Sequence, residues 1–209
     1  MLSAAAGRLI LGFAMTAEGE AETREMQMAL GQAISAWARI EGTLCHLFSY
    51  AVSNGGNAQP AVEAFCAVMS FETQLAMTRK AMETAFKGQK DILDPWEILR
   101  RRVDKLRESR NKLAHGQIVR VEKGDEWSVD FLPFFHEGTN KSQEAYVHWS
   151  VGDIRKIRGA FSDCAQKLWY LYFHLIRGET PPQLFPEPAL QLGRSPASNR
   201  FRSSKPGSR

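Results

Sequence analysis

Three side chains that can act together on a bound anion lie close to one another in the chain: Arg110, Asn111 and His115. Imidazole accepts or donates a proton near neutral pH, and a guanidinium presents a planar fork of donors that fits a phosphate or a carboxylate. An amide can both donate and accept hydrogen bonds. This combination is typical of acid–base chemistry on a phosphate, so these three residues are the candidate catalytic residues.

A helix that carries these residues, here called the motif helix, is predicted from its boundaries and its apolar period. Asp94 is expected to cap it, Pro95 to occupy its first position, Glu97 to complete the capping pattern, and Gly116 to end it. At about 100° per residue, one arc of roughly 80° contains Leu99, Val103, Leu106, Arg110 and Leu113. Arg110 therefore takes a place where an apolar residue is expected.

Two interpretations of Arg110 remain open from the sequence. In the first, its guanidinium is structural and pairs with a carboxylate such as Glu41. In the second, it lines a cleft and holds a phosphate or a carboxylate. Asn111 and His115 share a helix face, whereas Arg110 lies about 140° from His115 on an ideal helix. A tightening of the last turn at Gly116 would bring the two closer together.

The pattern Arg110-Asn111-x-x-x-His115 resembles the motif of the HEPN superfamily, which has an Arg, a polar residue, and a His about one turn later. Trp37 and Glu41, in an earlier long helix, and an amphipathic helix after the motif also resemble that family. The resemblance implies a helical bundle in which a second copy of the chain faces the first across one cleft.

The resemblance also implies a function, over roughly Thr23 to Arg177. Active HEPN proteins are metal-independent endoribonucleases, so Arg110 and His115 of each protomer would form a composite site with Asn111 as the positioning residue. A toxin or phage-defence effector of this kind would take RNA as its substrate and an antitoxin or regulatory protein as a further partner. Gln117 stands where one toxin branch has a modifiable Tyr. Other family members are non-catalytic nucleotide- or partner-binding modules, which is the alternative function.

The motif helix is rich in basic residues, whereas the chain as a whole has a net charge of only +4. A basic field beside a candidate site favours an RNA backbone, although most charge runs are simply solvated faces. The predicted RNA-binding residues are Arg100, Arg101, Lys105, Arg107 and Lys112.

The cysteines, Cys45, Cys66 and Cys164, are odd in number and far apart, which predicts buried free thiols in a reducing cytoplasm. No spacing typical of a metal site is present, so neither a metal nor a cofactor is expected. No apolar run approaches the roughly 20 residues that span a bilayer, so no membrane association is expected.

The hydrophobic pattern predicts a mainly α bundle of about four long helices in one domain, residues 22–177. The first two helices are expected at about 22–52 and 60–86, with Ile34 and Met69 in their buried stripes, and the last begins at Ser150 with Asp153 in a capping box. A seam from Ile154 to Leu175 packs within the bundle or between protomers. A small antiparallel β insertion is predicted at about 117–149, a flexible extension at 1–21 and a disordered tail at 178–209.

Overall fold

The computed structural model of the chain describes residues 17–123, 126–132 and 148–179. Over these ranges the order of elements is α1 (Ala17–Ser53), α2 (Gln59–Cys66), α3 (Phe71–Ala85), α4 (Lys90–His115), β1 (Gln117–Lys123), β2 (Glu126–Leu132) and α5 (Val151–Arg177). The protein is therefore mainly helical with a small antiparallel sheet before the last helix, as the sequence predicts. The described residues contain no helix long and apolar enough to cross a membrane.

The long helices α1 and α5 form the centre of the bundle, and α2, α3, α4 and the sheet pack around them. The Trp37 ring lies between Phe71 of α3 and Phe161 of α5, at centroid distances of 4.8 and 5.2 Å. All three rings are large apolar surfaces, and their burial is a main driving force for packing these helices together. Ile34, expected in the core, is instead 40% exposed.

The predicted second helix is wrong in its length, because the structure divides it into α2 and α3. Ser70 caps α3 by accepting a hydrogen bond from the backbone N–H of Thr73, at 3.4 Å. At the break, the Gln74 amide donates to the carbonyl oxygens of Phe65 and Val68, and the Phe65 carbonyl also accepts from the backbone N–H of Val68. Met69 lies at this break and is 96% exposed, so its apolar character did not indicate burial.

The motif helix, α4, begins at Lys90 rather than after an Asp94 cap, so that prediction is also wrong. The backbone N–H groups of Ile92 and Leu93 both bond to the Gln89 carbonyl, and Ile92 is buried against the core. Pro95 is tolerated inside α4 because it lies near the N-terminus, where the helix forgoes few hydrogen bonds. The burial of Ile92 extends the helix towards its N-terminus past the capping pattern.

Gly116 ends α4 as predicted, but for a different reason. Its backbone is extended (φ −91°, ψ 174°), so no left-handed conformation is needed. A Cβ at this position would clash with the ring of Phe131 and would lie 2.8 Å from the Leu132 carbonyl oxygen. Glycine therefore allows β2 to approach the end of α4 closely.

The β insertion forms as predicted, with Ile118 paired to Phe131 in an antiparallel register. Near the end of the predicted insertion, Trp149 forms an isolated bridge that exchanges two backbone hydrogen bonds of 2.8 Å with Phe131. Residues 133–147 of the insertion lie outside the described residues.

The last helix, α5, begins with the predicted capping box, in which Ser150 and Asp153 bond each other's backbone N–H groups. The seam of α5 is buried inside this chain, largely against α1, so it is not the surface where a second copy could pack.

The ends of the predicted domain are less fully described. Helix α1 begins at Ala17, inside the predicted extension, whereas residues 1–16 and 180–209 lie outside the described residues.

The cysteines are free, but only Cys164 is buried. Cys45 is half-buried and Cys66 is exposed, so the prediction that all three are buried is wrong. Burial raises the pKa of the Cys164 thiol to about 12.

Candidate functional site

Arg110 lies on the buried stripe of α4, as its spacing predicts. Val103 and Leu106, on the same stripe, are essentially buried, and so is Leu113, about one turn after Arg110. The Arg110 side chain itself is 33% exposed. Its stem therefore follows the apolar face while its charged end reaches solvent, which is the usual arrangement for a long basic side chain at the edge of a core.

The predicted partner of Arg110, Glu41, is present but binds it weakly. Nη2 of Arg110 lies 3.8 Å from Oε1 of Glu41, beyond hydrogen-bond distance. The same oxygen accepts a 2.6 Å hydrogen bond from the indole N–H of Trp37. Because Trp37 and Glu41 are one turn apart on α1, the indole fixes the carboxylate. The Arg110 guanidinium is therefore not held in a short, buried ion pair, although the nearby Glu41 carboxylate still offsets part of its charge.

Asn111 connects Arg110 to the face of α4 that carries His115. Its Oδ1 accepts a 3.3 Å hydrogen bond from Nη1 of Arg110. Asn111 is itself exposed and lies one turn before His115, which is the last residue of α4 and is also exposed. In the described part of the chain, the His115 imidazole makes no hydrogen bond or ion pair. It is therefore accessible for proton transfer.

Helical geometry sets Arg110 and His115 on different sides of α4. The helix is regular through His115 and does not tighten before Gly116. Five residues along a regular helix correspond to about 140° around its axis. The tightening of the last turn that the sequence left open is therefore absent.

The predicted RNA-binding residues fall into two groups. Arg100 donates two hydrogen bonds of 2.7 Å to Glu97, which raises the pKa of Arg100 and lowers that of Glu97. Arg107 pairs with Glu72 of α3 at 3.0 Å and with Asp104 at 3.4 Å, while Lys112 pairs with Glu108 at 2.5 Å. These carboxylates compensate much of the positive charge that the sequence suggests.

The second group remains open to solvent. Arg101 is 57% exposed and lies 3.7 Å from Glu97, and Lys105, one turn later, is exposed without an ion pair in the described part of the chain. These two side chains share a face of α4. They are the predicted RNA-binding residues best placed to contact a phosphate backbone.

The ion pair between Arg102 and Asp163 was missed by the sequence reasoning. Arg102 is only 12% exposed and forms an ion pair with Asp163 of α5, with Nη2 and Oδ2 at 2.7 Å, and Lys167 also pairs with Asp163. The signal available in the sequence was the position of Arg102 beside the apolar stripe of α4, but nothing there identified its partner. No group of three or more His, Cys, Asp or Glu residues in the described ranges is placed to hold a metal ion.

Comparison of the chain with protein-family models, with curated proteins and with solved structures found no match. The geometry of Arg110, Asn111 and His115 is therefore the basis for assigning a function.

Proposed function

We propose that the protein is a metal-independent endoribonuclease of HEPN type that acts as a homodimer. The observation that carries the proposal is the state of Arg110: a guanidinium on the buried stripe of α4 that is one third exposed and only loosely paired with Glu41. A structural arginine in such a position would be expected to form a short, shielded ion pair, as Arg102 does with Asp163. Arg110 instead keeps donors available for a phosphate.

The three residues have distinct roles in this proposal. The 2′-hydroxyl of RNA attacks the adjacent phosphorus, the bond to the 5′-oxygen of the next nucleotide breaks, and the products carry a cyclic phosphate and a 5′-hydroxyl. His115 accepts the proton of the attacking hydroxyl or donates one to the leaving oxygen. Arg110 stabilises the negative charge that develops on the phosphate. Asn111, bonded to Arg110, orients the phosphate by hydrogen bonding.

The separation of the two groups on α4 supports the proposal of a homodimer. One chain presents Arg110 and His115 on different sides of a regular helix. In a two-fold dimer, Arg110 of one protomer and His115 of its partner would face the same phosphate. Arg101 and Lys105, which are exposed on α4, would hold the strand on either side. A role as a toxin or phage-defence effector, restrained by an antitoxin or regulatory protein, is the biological context we propose.

The test is cleavage of single-stranded RNA by the full-length protein in the presence of a metal chelator. We expect products with a cyclic phosphate, no cleavage of DNA, and a dimer by light scattering. His115→Ala should lower the cleavage rate about 10²–10⁴-fold, and Arg110→Ala should lower it to a similar extent. Arg79→Ala is the matched control, because Arg79 is an exposed arginine of α3 that pairs with Glu83.

Cleavage that persists in a folded His115→Ala variant would contradict the catalytic assignment. An active strict monomer would contradict the composite site.

The 3.8 Å contact between Arg110 and Glu41 favours a second candidate, a non-catalytic module that binds a nucleotide or a partner protein through the same residues. That candidate would be supported by RNA or nucleotide binding that depends on Arg110 without any turnover.

A further inference from the structure

A shallow groove of about 880 Å³ runs between α1 and α5, on a different side of α1 from the candidate site. Arg39, in the groove, and Glu41, beside Arg110, are two positions apart on α1 and so differ by about 200° in direction. The groove is lined by Gly31, Ser35 and Arg39 of α1 and by Arg158, Gly159 and Ser162 of α5. A Cβ at Gly31 or Gly159 would meet no atom within 4 Å, so the space above both glycines is open.

The two arginines of this groove are bonded to neutral groups. Arg39 donates to the Ser162 hydroxyl at 3.0 Å, and Arg158 donates to the side-chain oxygen of Gln32. The arginines that pair instead with carboxylates are Arg79, Arg100, Arg101, Arg102, Arg107, Arg110 and Arg155. Because a guanidinium stays protonated, Arg39 and Arg158 give the groove a positive charge that no paired carboxylate of the described residues offsets. Groups of this kind are suited to phosphates.

Aromatic side chains continue the same surface beyond the groove. His46 lies about two turns after Arg39 on α1, and Trp169 lies about two turns after Ser162 on α5, each on the same helix face as its counterpart. The Trp169 ring is 42% exposed and packs edge-on against His46 at 5.8 Å. His46 also stacks on Tyr172 at 5.3 Å. Trp169 therefore presents part of a large ring to solvent in an orientation fixed by its neighbours.

We propose that the groove between α1 and α5 binds single-stranded nucleic acid, with phosphates on Arg39 and Arg158 and a base against Trp169. The groove is open along its length, which suits an extended strand better than an enclosed small molecule. A strand supplies negative charge and flat aromatic surfaces in alternation, and proteins that bind single strands combine a positive groove with stacking rings. The site is separate from Arg110 and His115, so it does not depend on ribonuclease activity.

The test uses the full-length protein and a fluorescently labelled single-stranded oligodeoxynucleotide, which lacks the 2′-hydroxyl needed for cleavage. We expect anisotropy titrations to show binding that weakens steeply with salt. The double variant Arg39→Gln/Arg158→Gln should weaken binding about 10-fold or more and reduce the salt slope by about 1–2. Arg79→Gln/Lys80→Gln is the matched control, because it removes the same charge from exposed, paired residues of α3 and should bind normally.

A second variant tests the base contact. Trp169→Leu should weaken oligodeoxynucleotide binding about 10-fold without changing binding of inorganic polyphosphate, because stacking needs a base. Thermal melts should show all variants folded, since both arginines bond only to neutral side chains near the surface. Absence of binding, or equal losses in the groove variant and the α3 control, would overturn the proposal. Equal binding of polyphosphate and oligodeoxynucleotide would overturn the base contact at Trp169.

Discussion

The middle of α4 and its C-terminal end hold their arginines in opposite ways. Arg102, in the middle, is 12% exposed and bonds Asp163 of α5 at 2.7 Å. Arg110, near the end, is 33% exposed and stays 3.8 Å from a carboxylate that is already bonded to Trp37. Both lie on or beside the same apolar stripe, so position on the helix does not distinguish them. The difference lies in the carboxylate partner. Arg102 pairs with Asp163 and so joins two helices, whereas Arg110 is only loosely paired with Glu41 and keeps hydrogen-bond donors available.

The largest effect on stability is expected at Gly116, where α4 ends. It would show that this end of the helix is tightly packed, although the Arg110 and His115 side chains there reach solvent. Gly116→Ala would place a methyl group against Phe131 and the Leu132 carbonyl, so unfolding free energy should fall by about 1–3 kcal/mol. Gly42→Ala is the matched control, because Gly42 is exposed on α1 with open space around it and alanine should stabilise the helix by about 0.5–1 kcal/mol.

Chemical denaturation of both variants measures this difference. If Gly116→Ala were as stable as the parent, the close approach of β2 to the end of α4 would be wrong. The candidate site would then rest on a helix end that is free to move.

A direct comparison of the two arginines should give smaller and unequal effects. Arg102→Met removes the short ion pair with Asp163 and should destabilise the fold by about 1–2 kcal/mol, a value reduced because Asp163 is 43% exposed. Arg110→Met should change stability by no more than about 0.5 kcal/mol. Urea unfolding measures both, and a larger loss for Arg110→Met would favour a structural role for Arg110.

The smallest effect concerns Glu97 at the start of the basic run. Its bonds to Arg100 hold its pKa below the ordinary value of 4.5, so its contribution to stability is present above that pH and is lost as pH falls through the folded pKa. Glu97→Gln should therefore be slightly less stable than the parent at neutral pH, and the two should converge in acid. Thermal melts from pH 7 to pH 3 test this, and a difference that grows in acid would contradict it.

Much of the fold could be predicted because local patterns and burial agree. The apolar period of α5 and the Ser150–Asp153 capping box predicted both the start of that helix and its buried seam. The alternation of residues in 117–132 predicted the β hairpin. Errors arose where one local signal competed with another: the Ser70 cap divides the second helix, and burial of Ile92 extends α4 beyond Asp94.

The sequence by itself determined which chemical groups the candidate site contains and that Arg110 lies on an apolar stripe, because both follow from residue type and helical period. Only the tertiary structure decided how strongly each charge is compensated. Asp163 reaches Arg102 from α5, Glu72 reaches Arg107 from α3, and Glu41 of α1 comes no closer to Arg110 than 3.8 Å. These contacts join residues far apart in the chain, and their strength depends on distances that no local pattern encodes. The groove at Arg39 and Arg158 has the same origin, since it exists only where α1 and α5 pack together.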